Sequence, residues 1–401
     1  MSICQLVPRI ACLKYLKYVA NRVIARSAVV CRRFVYRLVT RLCNVQILRQ
    51  KEDDFGTVIY RARVEDEVTH SKAVSNERPP YLRMVGRFLL DSPEVIVKRN
   101  VTLIGEFATP VDEQGQILGY GVVPSNYREF LRHADVKAII GACKVTQLKP
   151  EMHCDVACCL VNGWSTSYYH WVVEILPRVV LLLEAGLIEE STVLVIDKHP
   201  TIWQLRSLEL LGVGNNIVRA GQTIRVDKLL IPDFPRVVPL GYSFSVLRPS
   251  MLRALRSRLT SVCNAEVGRR TNGVFISRAK SIGRRILNED ELSDALARLG
   301  FVRYCLEELG FEEQVRLFAT ADRIVGPHGA GLANMLWSSD SRVCEIYGAG
   351  WNASFYTLAN SLGIEYFLYK CRAARSFSPK RADLIVEVGD FTDFLTRHMP
   401  G

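Results

Sequence analysis

The chain has 401 residues, 49% of them hydrophobic and 23% charged, with 52 Lys and Arg against 41 Asp and Glu and a formal charge of +11. That length and apolar share exclude a disordered chain and leave room for two domains with sizeable cores. The basic excess is uneven, because residues 1–50 carry Arg9, Lys14, Lys17, Arg22, Arg26, Arg32, Arg33, Arg37 and Arg41 and no acid.

In that segment Leu13, Leu16, Val19, Val23 and Ile24 are interrupted by charge too often for a membrane-spanning run of about twenty residues. A basic amphipathic helix on an anionic membrane surface fits better, with apolar residues in the headgroup boundary and cations on phosphates. A nucleic-acid-binding tail or an arginine-rich transit peptide reads the same charge differently. No aromatic-interleaved basic platform accompanies it, so no nucleic-acid partner is expected, and a clean apolar core with a cleavage site for secretion is lacking. The expected location is cytoplasmic and peripheral on a membrane surface, with a Golgi or other lumenal site left open. The 12 cysteines include no C-x-x-C pair. Zinc is therefore not indicated, and a reducing compartment is the simpler assumption.

Residues 51–80 are charged and punctuated, a linker or irregular entry to a first domain taken as 51–250. VIVKRNVTLIG and QILGYGVV predict strands with Gly115 in the turn between them, and DVACCLVNG predicts a buried strand. SYYHWVVEILPRVVLLLEAG, Ser167 to Gly186, has apolar residues on a helical period and a glycine stop. His170 and Glu174 are four apart, so they share a helix face and can point together into a cleft. The plainer alternative is a histidine satisfied structurally among aromatics. STVLVIDKHP, TIWQLRSLELLG and KLLIPDFPRV continue as strand, helix and strand, the alternation of a Rossmann-like domain. LRPSMLRALRSRLTSVC is a basic helix leading into a second domain, 251–401.

There GVFISR predicts a strand ending in Ser277 and Arg278. A loop with Lys280, Arg284 and Arg285 follows, then a helix from about Asn288 with Glu289, Asp290 and Glu291 in its first turn. Guanidinium groups fork onto phosphate oxygens, although a solvated basic loop is the bland reading. A helix over Phe311 to Thr320 precedes a strand at Arg323, Ile324 and Val325. The strand stops at Gly326, Pro327, His328, Gly329, Ala330 and Gly331, before a helical pattern at Leu332, Ala333, Met335 and Leu336. Glycines at a helix start admit a ligand to the backbone, and the unpaired N–H groups there favour a diphosphate, with His328 as a further donor. A turn whose glycines serve geometry alone has the same spacing, and the stretch is neither G-x-G-x-x-G nor a Walker motif. Glu345, in VCEIY, reads either as a ligand for ribose hydroxyls or as a buried structural partner. Phe391, Phe394 and Leu395 predict a final helix.

SYYHWVVEILPRVVLLL, FISR, RRILNEDEL and FATADRIVGPHGAGLANMLW, in that order over approximately Asn162 to Tyr347, resemble glycosyltransferase family 61, which includes capsular polysaccharide biosynthesis proteins. The resemblance implies an α/β, GT-B type enzyme with two Rossmann-like domains facing a cleft and a final helix returning to the first. It implies an inverting transferase that moves a sugar from a nucleotide diphosphate, usually UDP, to a glycan or glycoprotein acceptor. His170 and Glu174 would then activate the acceptor hydroxyl, in either assignment of base and partner. Ser277, Arg278, Arg284, Arg285, the turn from Gly326 to Gly331 and Glu345 would hold the donor. No Asp-x-Asp triplet occurs, so metal-independent catalysis without a cofactor is expected. The runner-up is a non-catalytic nucleotide-sugar or glycan-binding scaffold on the same fold.

Overall fold

A computed structural model describes residues 47–48, 56–77, 84–119, 141–142, 144–238, 244–266, 273–376 and 381–401. Apart from Ile47–Leu48, the basic segment expected on lipid lies outside the described residues, as do Tyr120 to Val123 of the QILGYGVV strand. Among the described residues no helix is long and apolar enough to cross a membrane.

The fold is mixed α/β around two principal sheets. In the first, four parallel strands lie in the order Ile224–Pro232, Met152–Cys159, Val193–Ile196, Ile217–Arg219. The long strand Glu94–Ile104 then pairs antiparallel with Ile224–Pro232 and extends the sheet toward Thr109–Val111 and Ile117–Leu118. The helix Ile202–Leu210 starts where its sequence says it should: Thr201 and Gln204 form a reciprocal capping box that satisfies two otherwise orphaned backbone N–H groups.

The second sheet is parallel throughout, in the order Phe301–Tyr304, Gly273–Ile276, Arg323–Pro327, Arg342–Tyr347, Glu365–Lys370. Its sequence order is thus second, first, third, fourth, fifth, and the direction of winding reverses between Gly273–Ile276 and Arg323–Pro327. A crevice opens at the carboxyl ends of strands where such a reversal occurs, because the connections leave on opposite faces. A sixth strand, Val74–Ser75, adds to Glu365–Lys370 from far upstream. It lies in the stretch expected to be a linker or irregular entry to the first domain, because two residues carry no strand period.

One hydrophobic core joins the sheets: Trp171, Leu176 and Leu230 on the side of the first sheet are continuous with Ile276, Leu332, Trp337 and Tyr356 on the side of the second. The final helix Val388–His398 corrects an expectation. Phe391, Phe394 and Leu395 share a core with Phe275, Leu292 and Val325 and face the helix Glu289–Arg298, so this helix stays with the second sheet rather than returning to the first domain.

Candidate active site

The carboxyl ends of the neighbouring parallel strands Met152–Cys159 and Ile224–Pro232 feed two segments that meet. The first runs through the loop at Asn162 into Tyr168–His170, a π-helical turn Trp171–Ile175 and the α-helix Leu176–Glu184. Pro177 stands in the first turn of that α-helix. It has no N–H to give and its ring crowds the carbonyl four residues back, so the regular ladder cannot pass through it and the preceding turn widens. The loop before the helix is equally constrained. Asn162 accepts from Trp164 N at 2.8 Å, and Ser165 Oγ donates to Asp197 at 2.7 Å. Gln204 Nε2 reaches the other Asp197 oxygen at 2.8 Å.

On this frame His170 and Glu174 do meet: His170 Nδ1 lies 2.8 Å from Glu174 Oε2. Trp164 stacks on the imidazole at 5.0 Å and 16°, and the Tyr169 ring meets it edge-on. Glu174 is 1% exposed, and its other oxygen, Oε1, accepts from Arg236 Nε at 2.5 Å and also from Nη2. Arg236 sits just beyond the carboxyl end of Ile224–Pro232 and also donates to Ser245 Oγ at 2.9 Å. Burial alone would push the Glu174 carboxyl up, but the cation of Arg236 and then His170 outweigh it and hold it at about 2. A carboxylate only accepts hydrogen bonds, so the proton between the two belongs to His170 Nδ1, and in the neutral ring Nε2 is then the nitrogen with a free lone pair. No bond to Nε2 is made among the described residues, and the side chain is 23% exposed.

The second cluster lies at the reversal point of the second sheet. Ser277 and Arg278 follow Gly273–Ile276, and the glycine turn follows the adjacent Arg323–Pro327. Ser277 is buried and donates to Glu289 Oε1 at 2.5 Å, while Glu289 Oε2 accepts from Arg278 N at 3.3 Å. Arg278 lies directly over Gly329. Its only side-chain bond among the described residues is a 3.3 Å contact from Nη2 to Gly283 O, and its buried Nε has no partner. Burial first, then the nearby Arg284, pushes the guanidinium down to about 10. Arg284 is half-buried with a positive φ of 56°, and it too makes no salt bridge among the described residues. Past the turn, Ala330–Trp337 is a 3-10 helix rather than an α-helix, with Gly329 in extended backbone. Gly326 and Gly331 face Ile276, so those two glycines serve close packing of turn against strand.

Other expected donor ligands stand differently. His328 is buried, its Nδ1 on Glu345 Oε1 and its Nε2 3.0 Å from Asn352 Nδ2. Glu345 is fully buried, with Oε2 bound by Tyr366, so of its two readings the geometry has the structural partner. Arg285 is half-exposed and turned to Asp383, at 2.6 Å from Nη2, instead of joining Arg278. Pro327 and Ala330 line the same cavity as Ser277 and Arg278.

That cavity, of about 600 Å³, has Tyr168, Trp203 and Arg206 in its lining together with Arg278, Phe311 and Gly331. Tyr168, at the start of the helix that bears His170, lines it, whereas His170 and Glu174 do not. Tyr168 Oη donates to Asn334 at 2.6 Å, behind the glycine turn, and Tyr169 Oη to Ser354 O at 3.3 Å. Sequence reading missed Arg236, Trp164 and Asn334. Arg236 is 62 positions from Glu174, and its one local sign is a cation just past a strand's carboxyl end.

Residues 168–344 match the family model described as Glycosyltransferase 61. Among curated proteins, the chain is similar to the EGF domain-specific O-linked N-acetylglucosamine transferase of Bos taurus, 36% identical over 93 residues, and of Mus musculus, 37% identical over 93 residues. The Gallus gallus protein of the same name is 36% identical over 95 residues. Each alignment covers 22% of this chain and 18% of the relative.

Proposed function

From a chain whose residues 168–344 are a glycosyltransferase 61 segment, we propose an inverting glycosyltransferase that takes a sugar from a nucleotide diphosphate, UDP foremost, to a hydroxyl of a glycan or glycoprotein. The relatives are named for O-linked N-acetylglucosamine transfer, and UDP-N-acetylglucosamine is accordingly the first donor to try. The proposed architecture is GT-B, supported by two domains whose parallel strands direct their carboxyl ends toward the segments carrying His170 and Arg278.

One observation carries the reading. A half-buried guanidinium that makes no salt bridge among the described residues, with Glu307 as the carboxylate whose charge reaches it from further off, lies on a glycine turn in the cavity. Holding such a charge partly out of water without a direct ion pair is costly, and an anion bound beside it would offset that cost. Backbone N–H groups at the start of Ala330–Trp337 add to it.

The reaction follows from the two clusters. The acceptor hydroxyl gives its proton to His170 Nε2 while its oxygen bonds to the anomeric carbon. The bond from that carbon to the diphosphate oxygen breaks, and its electron pair leaves with the diphosphate. One displacement from the opposite face inverts the configuration. Glu174 stabilises the imidazolium, and Arg278 and Arg284 take the leaving charge in the role a divalent cation plays elsewhere.

Thermal-shift screening against UDP, GDP, CDP and UDP-N-acetylglucosamine tests the donor class, because a ligand at about 100 times its Kd adds roughly 2.7 kcal/mol to apparent stability. UDP and its sugar should stabilise the protein, and UDP should be released slowly from UDP-N-acetylglucosamine. Stabilisation by none of the nucleotides would overturn the reading, and binding without release would leave a non-catalytic scaffold.

A further inference from the structure

Glu174 divides its two oxygens between two partners, and the division has a chemical consequence. Oε1 belongs to Arg236, through Nε at 2.5 Å and through Nη2, whereas Oε2 belongs to His170 Nδ1 at 2.8 Å. Arg236 is itself held in place, by Ser245 Oγ at 2.9 Å and by Tyr169 Oη at 3.5 Å. The charged and titratable groups around the imidazole are thus Glu174 and Tyr169 on its own helical segment and Arg236 from the opposing strand Arg236–Val237.

We propose that Arg236 is a positioning residue for the transfer reaction, which sets the direction of the hydrogen bond between Glu174 and His170 and so presents Nε2 as the proton acceptor. This rests on the assignment of His170 as base. Without Arg236, Glu174 would be a carboxyl group sealed from water with only an imidazole beside it, and burial favours its neutral form. A protonated carboxyl can donate to Nδ1. The imidazole proton would then stand on Nε2, where no lone pair remains to accept from the acceptor hydroxyl. The defect is one of proton placement, and none of Arg236, Glu174 and His170 lines the donor cavity, so donor binding should stay unchanged.

Two measurements on the full chain test this. Long-range proton–nitrogen NMR spectra of the imidazoles at mildly alkaline pH, with His170 identified by loss of its signals in His170→Gln, read the tautomer directly. The parent and Arg236→Lys should show the Nδ1–H form, and Arg236→Gln should show the Nε2–H form in substantial amount. In UDP release from UDP-N-acetylglucosamine, Arg236→Gln should lose kcat by about 10²-fold at unchanged KM, with partial rescue by lysine. An unchanged tautomer in Arg236→Gln would overturn the inference whatever the activity. Loss of kcat in His170→Gln together with parental turnover in Arg236→Gln would do the same while leaving the proposed function intact. Failure of that function appears separately, as full turnover in His170→Gln.

Discussion

A methyl group on Gly329 would fall 2.1 Å from Arg278 Nη1, so the guanidinium fills the space that the glycine leaves open. Substituting either residue should therefore give one phenotype. Gly329 has a φ of 175°, ordinary extended backbone, and alanine there brings no strain of its own. It should displace a long side chain and leave the fold in place.

Arg278→Met should weaken UDP binding by about 1.5 to 3 kcal/mol, the worth of a hydrogen bond to a charged group. Calorimetric titration with UDP measures it. Since no carboxylate among the described residues pairs with Arg278, the ligand-free variant should melt no lower than the parent, a gain in stability at the expense of function. Gly329→Ala should lose affinity in the same direction. Arg285→Ala should bind UDP like the parent, because Asp383 already holds that side chain. Parental affinity in Arg278→Met would move the diphosphate elsewhere.

Asn334 ties the start of the helical segment at Tyr168 to Trp337 and Gln314. Its Oδ1 accepts from Tyr168 Oη at 2.6 Å and from Trp337 Nε1 at 2.9 Å, and its Nδ2 donates to Gln314 at 3.0 Å. Asn334→Ala strands the buried indole N–H of Trp337, at about 1 to 3 kcal/mol, and frees the part-buried Tyr168 hydroxyl at a smaller loss. Urea unfolding should show that loss, and a variant as stable as the parent would mean that water or a neighbour takes over both bonds.

How legible this was in the sequence depended on range. Helices with a local signature appear where the pattern places them: Phe311–Ala319, Glu289–Arg298 and Ile202–Leu210 have periodic apolar faces or caps written within a few residues. His170 and Glu174 are one helical turn apart, so their contact could be foreseen. The partners of Glu174 and Tyr168 lie 62 and 166 positions away, and no period or spacing announces them. The same limit separates Arg278 from Arg285. Both belong to one basic loop in sequence, yet one points to the glycine turn and the other to Asp383, a choice made by residues 51 and 98 positions downstream.

His70 should make the protein acid-sensitive well above the carboxylate range. It is fully buried among Phe88, Phe244 and Tyr356, with Nδ1 3.2 Å from Met84 O and, among the described residues, no partner for Nε2. Burial lowers it from 6.5 to about 4, only partly opposed by the Met84 carbonyl. The unfolded chain takes up this proton as pH falls through 6.5, whereas the folded chain resists until about 4. Stability is thus complete above that window and declines across it by roughly 3 kcal/mol. His70→Phe should flatten the decline in unfolding measured at several pH values. An equally steep decline in the variant would assign it to other groups. Glu174 acts lower: held at about 2 against an ordinary 4.5, it contributes stability above that range and loses it as pH falls through it.

The base can be separated from its partner by what each substitution leaves behind. Glu174 is sealed from solvent and both its oxygens are taken, so it has no means of reaching an acceptor hydroxyl, whereas His170 retains an exposed edge. His170→Gln removes the proton acceptor and should lower kcat by about 10² to 10⁴. Glu174→Gln keeps the shape, but the amide has only one acceptor oxygen for Arg236 and Nδ1–H together. Its NH2 can instead donate to Nδ1 and draw the ring toward the wrong tautomer. A loss in kcat is expected there too, smaller than for His170→Gln. Combining the two should lose little beyond His170→Gln alone, since a partner without its base has nothing to orient. Donor affinity, measured by UDP titration, should be unaltered in all three, because Arg278 and the glycine turn belong to the other sheet. Losses that multiply in the double variant would show that the two residues act independently, and a larger loss in Glu174→Gln than in His170→Gln would transfer the role of base to the carboxylate.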